Sequence, residues 1–357
     1  MNILIAAGGT GGHLFPGISI AEEFTAKDNS NVVLFIGTKR GMEQQVLSQA
    51  GFSFETIDVL GLKGKRFSAL FKALLYLPRS IFQSIRIIKK FDPALVIGAG
   101  GYVSGPVVLA AFCMGVKTAI HEQNTFPGLA NRILAKITDL ILVSFESTMP
   151  YFPKEKTVMA GNPVRRQCVT KSPPSASGDP FTLCILGGSL GSHQINSAMT
   201  AALTHLLPIR DKIKIIHQTG KNDLPMAKEA YKKAGFSAEV VTFIDQIADV
   251  YQQTRLVISR AGASTLAELM VNHKASILVP YPLAADNHQH LNARVLVDQK
   301  AAQMIDPDQL TGTRLARLIL HLYNHPEQLS EMETNAGKLG RPEAAREIVD
   351  HCYRLTA

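Results

Sequence analysis

The sequence predicts an α/β protein made of two Rossmann-like, doubly wound parallel-sheet domains in which ligand-binding loops face a cleft. Three observations predict it. Continuous apolar runs alternate with helical patterns along almost the whole chain, the alternation restarts after a break near residue 170, and glycine-rich turns join several runs to the helices that follow. At 357 residues, with 46% hydrophobic and 18% charged, the chain has room for two domains with cores of their own.

In order, the first alternation reads strand 2–7, helix 17–26, strand 31–36, helix 42–50 and strand 54–58. A basic segment follows, then strand 95–97, helix 106–114, strand 117–121, helix 128–135, strand 140–143 and a short strand near Val158. Gly161-Asn162-Pro163 and the proline- and serine-rich stretch 171–180 mark a boundary. Beyond it come strand 181–186, helix 195–206, strand 213–217, helix 225–234, strand 239–243, helix 247–252, strand 256–259, helix 264–270, strand 275–279, helix 288–298 and strand 301–305, then helices. The first domain is therefore 1–161 and the second 162–339. An amphipathic helix in residues 340–357 is expected to cross back onto the first.

Composition narrows the function. Four scattered cysteines with no C-x-x-C pair, and a first strand in place of a secretory leader, point to a reducing, cytosolic setting with free thiols. The formal charge of +8 is concentrated: Lys63, Lys65, Arg66, Lys72, Arg79, Arg86, Lys89 and Lys90 stand between Gly61 and Lys90 without one acidic residue. Apolar residues, among them Phe67, Phe71, Leu75, Tyr76 and Phe82, are interleaved with them, and Pro78 is expected to split the segment into two helices. Basic and greasy together favour an anionic membrane surface over a core helix with a solvated face. Nucleic acid is disfavoured, since no recognised motif accompanies the charge. Residues 94–116 are free of charge and long enough to span a bilayer, but their glycines and strand-turn-helix grammar fit a buried α/β unit instead.

The chemistry sits in the loops. Ala7-Gly8-Gly9-Thr10-Gly11-Gly12-His13 follows the first strand, Gly98 to Gly105 follows a later one, and Gly187-Gly188-Ser189-Leu190-Gly191 repeats the pattern in the second half. Such loops bring backbone N–H groups and a helix N-terminus up to a phosphate or sugar hydroxyl. They are not a dinucleotide fingerprint, because the last glycine of G-x-G-x-x-G falls at Leu14 and the second strand ends in Thr38-Lys39-Arg40 without an acidic residue. Ala261-Gly262-Ala263-Ser264-Thr265 opens a helix whose N–H groups and hydroxyls can hold a diphosphate, and Glu268, one turn on, can accept both hydroxyls of a ribose.

These loops, with Gly100-Gly101-Tyr102-Val103-Ser104-Gly105, His121-Glu122-Gln123-Asn124, Gly161-Asn162-Pro163-Val164-Arg165 and Asp286 to Asn292, resemble the MurG family. These are GT-B glycosyltransferases of family 28, which form lipid II in bacterial peptidoglycan synthesis. The resemblance covers nearly the whole chain. It implies that Thr10, Gly11, Gly12, Asn124, Arg165, Ser189, Ile244, Ala263, Ser264, Thr265, Leu266, Ala267, Glu268 and Gln289 contact UDP-N-acetylglucosamine. The basic segment (Lys63, Lys65, Arg66, Phe67, Phe71, Lys72, Leu75, Arg79, Phe82, Arg86) then docks the membrane and the acceptor, undecaprenyl-pyrophosphoryl-N-acetylmuramoyl-pentapeptide.

The implied reaction is inverting transfer to the acceptor's C4 hydroxyl, at the cytoplasmic face of the plasma membrane. The implied biology is cell-wall growth, cell shape and division, with cell-wall and division proteins as candidate partners. His13 is the candidate general base, with hydrogen bonding to the diphosphate or acceptor as its rival role. No Asp-x-Asp motif is read in the sequence, so no metal or other cofactor is expected to be required. The competing readings are a lipid glucosyltransferase and a UDP-sugar epimerase of the same architecture. Leu190, Ser192 and the turn 271–275 depart from the family's pattern, and the chain has no tryptophan.

Overall fold

The central strands bury apolar side chains on both faces, and in the computed structural model the strands assemble into two parallel sheets. The structure describes residues 1–9, 11–38, 43–59, 67–170, 180–188 and 190–357, with backbone alone at Gln45 and residues 67–75. Two compact units result: Met1–Arg165 with Arg341–Ala357, and Arg166–Gly340.

The first unit holds β1 (Asn2–Ala6), α1 (Gly11–Lys27), β2 (Val32–Thr38), α2 (Glu43–Gln49), β3 (Ser53–Ile57), α3 (Phe67–Phe91), β4 (Leu95–Gly98), α4 (Ser104–Cys113), β5 (Lys117–Glu122), α5 (Leu129–Leu134), β6 (Leu140–Val143) and β7 (Thr157–Met159). Strand order is β3-β2-β1-β4-β5-β6-β7, and Ile5 pairs in register with Phe35 on one side and Ile97 on the other. Ile3 and Ile5 join one core layer with Leu14 and Phe24 of α1, while Leu4 and Ala6 join another with Val107 and Val108 of α4. The sheet is thus buried on both faces, as a parallel sheet requires. Chain order reverses between β1 and β4, the place where an open α/β sheet leaves a crevice beyond its strand ends. Residues 94–116 form β4, a glycine turn and α4, and among the described residues no helix is long and apolar enough to cross a membrane.

The second unit holds β8 (Phe181–Leu186), α6 (His193–Leu206), β9 (Ile213–Gln218), α7 (Leu224–Ala234), β10 (Ser237–Val241), α8 (Ile247–Gln253), β11 (Leu256–Ser259), α9 (Ala263–Val271), β12 (Ala275–Leu278), α10 (His288–Asp298), β13 (Ala302–Met304), α11 (Gly312–Asn324) and α12 (Pro326–Leu339). Its order is β10-β9-β8-β11-β12-β13, with the reversal between β8 and β11. The last helix, α13 (Ala344–Thr356), returns to the first unit, where Ile348, Val349 and Cys352 are fully buried in the core that α1 covers.

Two expectations about helices are corrected. Helix α1 starts at Gly11, six residues earlier than the pattern suggested, and carries Pro16 inside it. Helix α3 runs unbroken through Pro78. An interior proline costs about 3 kcal/mol, and contacts just beyond it offset this. The Ser80 hydroxyl donates to the Asp58 carbonyl (2.5 Å), Gln83 exchanges bonds with the Asp58 backbone N–H and carboxylate, and Arg79 lies 3.0 Å from that carboxylate. Ser80, Ser84 and Ile88 form the buried stripe, which leaves Phe82 62% exposed.

The turn 271–275 solves its own geometry without glycine. His273 takes φ of 53°, and Asn272 ties the turn to the Cys168 carbonyl and the Thr170 N–H. Lys274 is fully buried, its ammonium donating to the Thr254 carbonyl at 2.9 Å, near the Arg255–Glu333 ion pair. Burial brings its pKa down to about 8. An unfolded lysine titrates near 10.4, so between the two values the unfolded chain holds the extra proton and stability rises with pH. In urea titrations, wild type is expected to gain stability relative to Lys274→Met from pH 8 to 10. A difference that stays flat contradicts this.

Candidate active site

The first unit's loops interlock through glycine. Gly100 and Gly101 have φ of 102° and 80°, and a Cβ on Gly100 would stand 2.5 Å from the His13 ring. A Cβ on Gly101 would meet the Gly8 carbonyl at 2.2 Å. His13, in the first turn of α1, is therefore packed against the second glycine turn. Beneath them lie polar pins. Glu43, 2% exposed, accepts the Gly9 N–H at 2.8 Å and the Thr38 hydroxyl at 3.2 Å. The Ser104 hydroxyl accepts the Gly100 N–H (3.0 Å), and Gln123 donates to the Ala99 carbonyl (2.7 Å).

Asn124 is placed by Glu122. One carboxylate oxygen accepts the Asn124 backbone and side-chain N–H groups (3.0 and 3.2 Å), the other the Gly128 N–H and the Asn131 amide (3.0 and 2.8 Å). His121 is structural. Its ring nitrogens meet the Gly161 carbonyl and the Gln123 amide, and burial lowers its pKa to about 4. Arg165 stacks on the Phe15 ring at 4.2 Å.

In the second unit the loop after β8 is bound on both sides. A Cβ on Gly191 (φ 80°) would lie 1.9 Å from the Thr219 carbonyl, so only glycine permits that approach. The Gln218 amide, at the end of β9, donates to the Gly188 carbonyl (2.8 Å) and accepts the Ile244 N–H (2.9 Å). Asn196 donates to the Thr219 carbonyl and to Asp223, and accepts from buried His217, whose other nitrogen meets the Tyr231 hydroxyl. Arg260 gathers three loops, donating to the Val279 and Pro280 carbonyls (3.2 and 2.9 Å) and to Ser192 (2.8 Å) and Gln194 (3.3 Å). Ser192 in turn caps α6, accepting the Ile195 N–H.

At α9, Gly262 is the N-cap and the first intrahelical bond is Leu266 N–H to the Gly262 carbonyl. The N–H groups of Ala263, Ser264 and Thr265 precede it and point out of the helix start. Leu266 and Ala267 are buried, their side chains turned to the core. Glu268 is half-buried and accepts from the Tyr251 hydroxyl at 3.1 Å. Gln289 holds the Tyr281 N–H (2.9 Å), beyond Asp286 and Asn287 at φ of 49° and 54°.

Thr10, Ser189, Lys63, Lys65 and Arg66 lie outside the described residues. Phe67, Phe71, Lys72 and Leu75 fall on the backbone of α3, while Arg79, Phe82 and Arg86 are exposed on it. One Asp-x-Asp spacing was overlooked in the sequence, Asp306-Pro307-Asp308 after β13. Asp306 lies 3.3 Å from His290, and among the described residues no three His, Cys, Asp or Glu side chains gather to hold a metal. Sequence reasoning also missed Glu43, Gln218, Tyr251 and Arg260. Only Arg260 carried a signal, standing directly before the glycine-bearing helix start.

Two family models then match in tandem. The glycosyltransferase family 28 N-terminal domain covers residues 3–143, and the family 28 C-terminal domain covers residues 182–348. The chain belongs to glycosyltransferase family 28. Within it the chain is a member of the MurG family. A Myxococcus xanthus relative, the UDP-N-acetylglucosamine--N-acetylmuramyl-(pentapeptide) pyrophosphoryl-undecaprenol N-acetylglucosamine transferase, is 48% identical over 99% of this chain and 93% of its own. The crystal structure of MurG from Acinetobacter baumannii superposes with a TM-score of 0.80 at 30% identity, covering 99% of each chain. A UDP-GlcNAc 2-epimerase from Neisseria meningitidis reaches a TM-score of 0.69 at 13% identity, covering 99% of this chain and all of its own, and shares the fold alone. Glu122→Gln puts an N–H donor where four donors converge and is expected to destabilise the chain by about 1–3 kcal/mol. An unchanged urea midpoint contradicts that.

Proposed function

We propose that this chain is an inverting N-acetylglucosaminyltransferase of peptidoglycan synthesis. It moves the sugar from UDP-N-acetylglucosamine to the C4 hydroxyl of undecaprenyl-pyrophosphoryl-N-acetylmuramoyl-pentapeptide. The observation that carries the reading is the 48% identity, end to end, with a relative named for that transfer. The loop geometry supports it. N–H groups at Ala263–Thr265 suit a diphosphate, Glu268, bonded by buried Tyr251, suits a ribose, and the amide of buried Gln218 braces the loop at Gly188.

The C4 oxygen attacks the anomeric carbon on the face opposite UDP and loses its proton to His13. The bond from that carbon to the β-phosphate oxygen breaks, and UDP leaves with the negative charge. Helix-start N–H groups, the Ser189 loop and the Arg165 guanidinium meet that charge, so no divalent cation is required. Thr10, Gly11, Gly12, Asn124, Ile244 and Gln289 complete the contacts to donor and acceptor.

The chain works as a peripheral protein on the cytoplasmic face of the plasma membrane, docked through α3. Exposed Phe82 and Tyr76 beside exposed Arg79 and Arg86 support this, each cation near an anionic surface contributing about 1 kcal/mol. The test is UDP release from UDP-N-acetylglucosamine with and without the lipid-linked acceptor, with UDP-glucose as competing donor. Release is expected only with acceptor and N-acetyl sugar, and His13→Ala is expected to slow it at least 100-fold. Acceptor-independent turnover, or equal use of UDP-glucose, contradicts the reaction. Near-normal turnover by the variant removes His13 as the base.

A further inference from the structure

Tyr251 is the fifth residue of α8 and is fully buried, yet its hydroxyl is not spent inside the core. It donates to one carboxylate oxygen of Glu268 at 3.1 Å, and Glu268 is half-buried one turn into α9. The chain's other fully packed tyrosine, Tyr231, bonds a buried histidine instead. A buried hydroxyl costs free energy unless it is bonded, so a phenylalanine would serve the packing of α8 as well or better. We propose that Tyr251 is a positioning residue for donor recognition. Its hydroxyl fixes the Glu268 carboxylate in the orientation that grips the ribose hydroxyls, and the proposal rests on the reading of Glu268 as the ribose ligand.

The physical argument is one of preorganisation. A glutamate side chain has three rotatable bonds and loses that freedom when it binds, which weakens binding unless the loss has already been taken on folding. Tyr251 takes it on folding, because α8 is anchored in the core through Ile247 and Tyr251 and at its C-cap through the Thr254 carbonyl, which accepts from buried Lys274. Burial first, and the Glu268 charge second, hold the phenol well above its ordinary pKa, so it remains a donor throughout the pH range of the folded chain. A donor to one carboxylate oxygen also sets the plane of the other, and a ribose diol needs that plane to accept two hydroxyl donors together.

The test is calorimetric titration of the full-length chain with UDP and with 2′-deoxy-UDP, for wild type, Tyr251→Phe and Glu268→Gln. Wild type is expected to prefer UDP. In Tyr251→Phe the affinity for UDP is expected to fall about five- to tenfold while that for 2′-deoxy-UDP changes little, so that the preference collapses. Three results overturn the proposal. One is an equal loss of affinity for both nucleotides in Tyr251→Phe, which marks a merely structural role. Another is a preference that survives in Tyr251→Phe but is lost in Glu268→Gln, which leaves Glu268 on the ribose without help from Tyr251. The third is a preference intact in both variants, which removes the ribose reading of Glu268 and this proposal with it.

Discussion

A parallel sheet delivers all its strand ends to one edge, and the loops that leave that edge have no ladder of their own to satisfy their main-chain groups. Buried polar groups left unbonded are costly, so such loops keep one shape only when side chains bond them from beneath. That constraint is met at several turns among the described residues. Gln218 joins Gly188 to Ile244, Arg260 joins the loop after β12 to the cap of α6, and Ser104 and Gln123 hold the turn after β4. Glu43 does the same for Gly9. Glycine is the other half of the arrangement, since Gly101 and Gly191 let one loop's backbone lie against another's where a Cβ would collide.

The consequence for chemistry is preorganisation. N–H groups that stabilise a departing diphosphate are effective when they are already in place, because no reorganisation is then needed as charge develops. In the second unit Gln218, the last residue of β9, ties the loop after β8 at Gly188 to Ile244, three residues past β10. Ser192 serves two loops at once, accepting from Arg260 while capping α6.

Much of this was legible in the sequence, for a physical reason. Strands buried on both faces are unbroken apolar runs, so β6, β8 and β11 fall at the expected residues, and α10 spans His288–Asp298 as read. The glycine turns were visible because only glycine allows their close approaches. The errors came where tertiary contacts overrode local rules. Pro78 should have ended a helix, but Asp58, some twenty residues earlier in sequence, ties the following turn down. The pins were invisible because Gln218, Glu43 and Tyr251 are ordinary residues, and the Gly188, Ile244, Gly9 and Glu268 groups they hold lie 17 to 34 positions away. No spacing rule reaches that far.

The central claim is that these pins shape a nucleotide site, and the amide of Gln218 tests it most directly because it holds two loops at once. Calorimetric titration of UDP into wild type and Gln218→Met, with unfolding midpoints measured alongside, separates shape from stability. The account predicts at least about tenfold weaker UDP binding by a variant that remains folded, the equivalent of one to two lost hydrogen bonds. UDP affinity within twofold of wild type would contradict it.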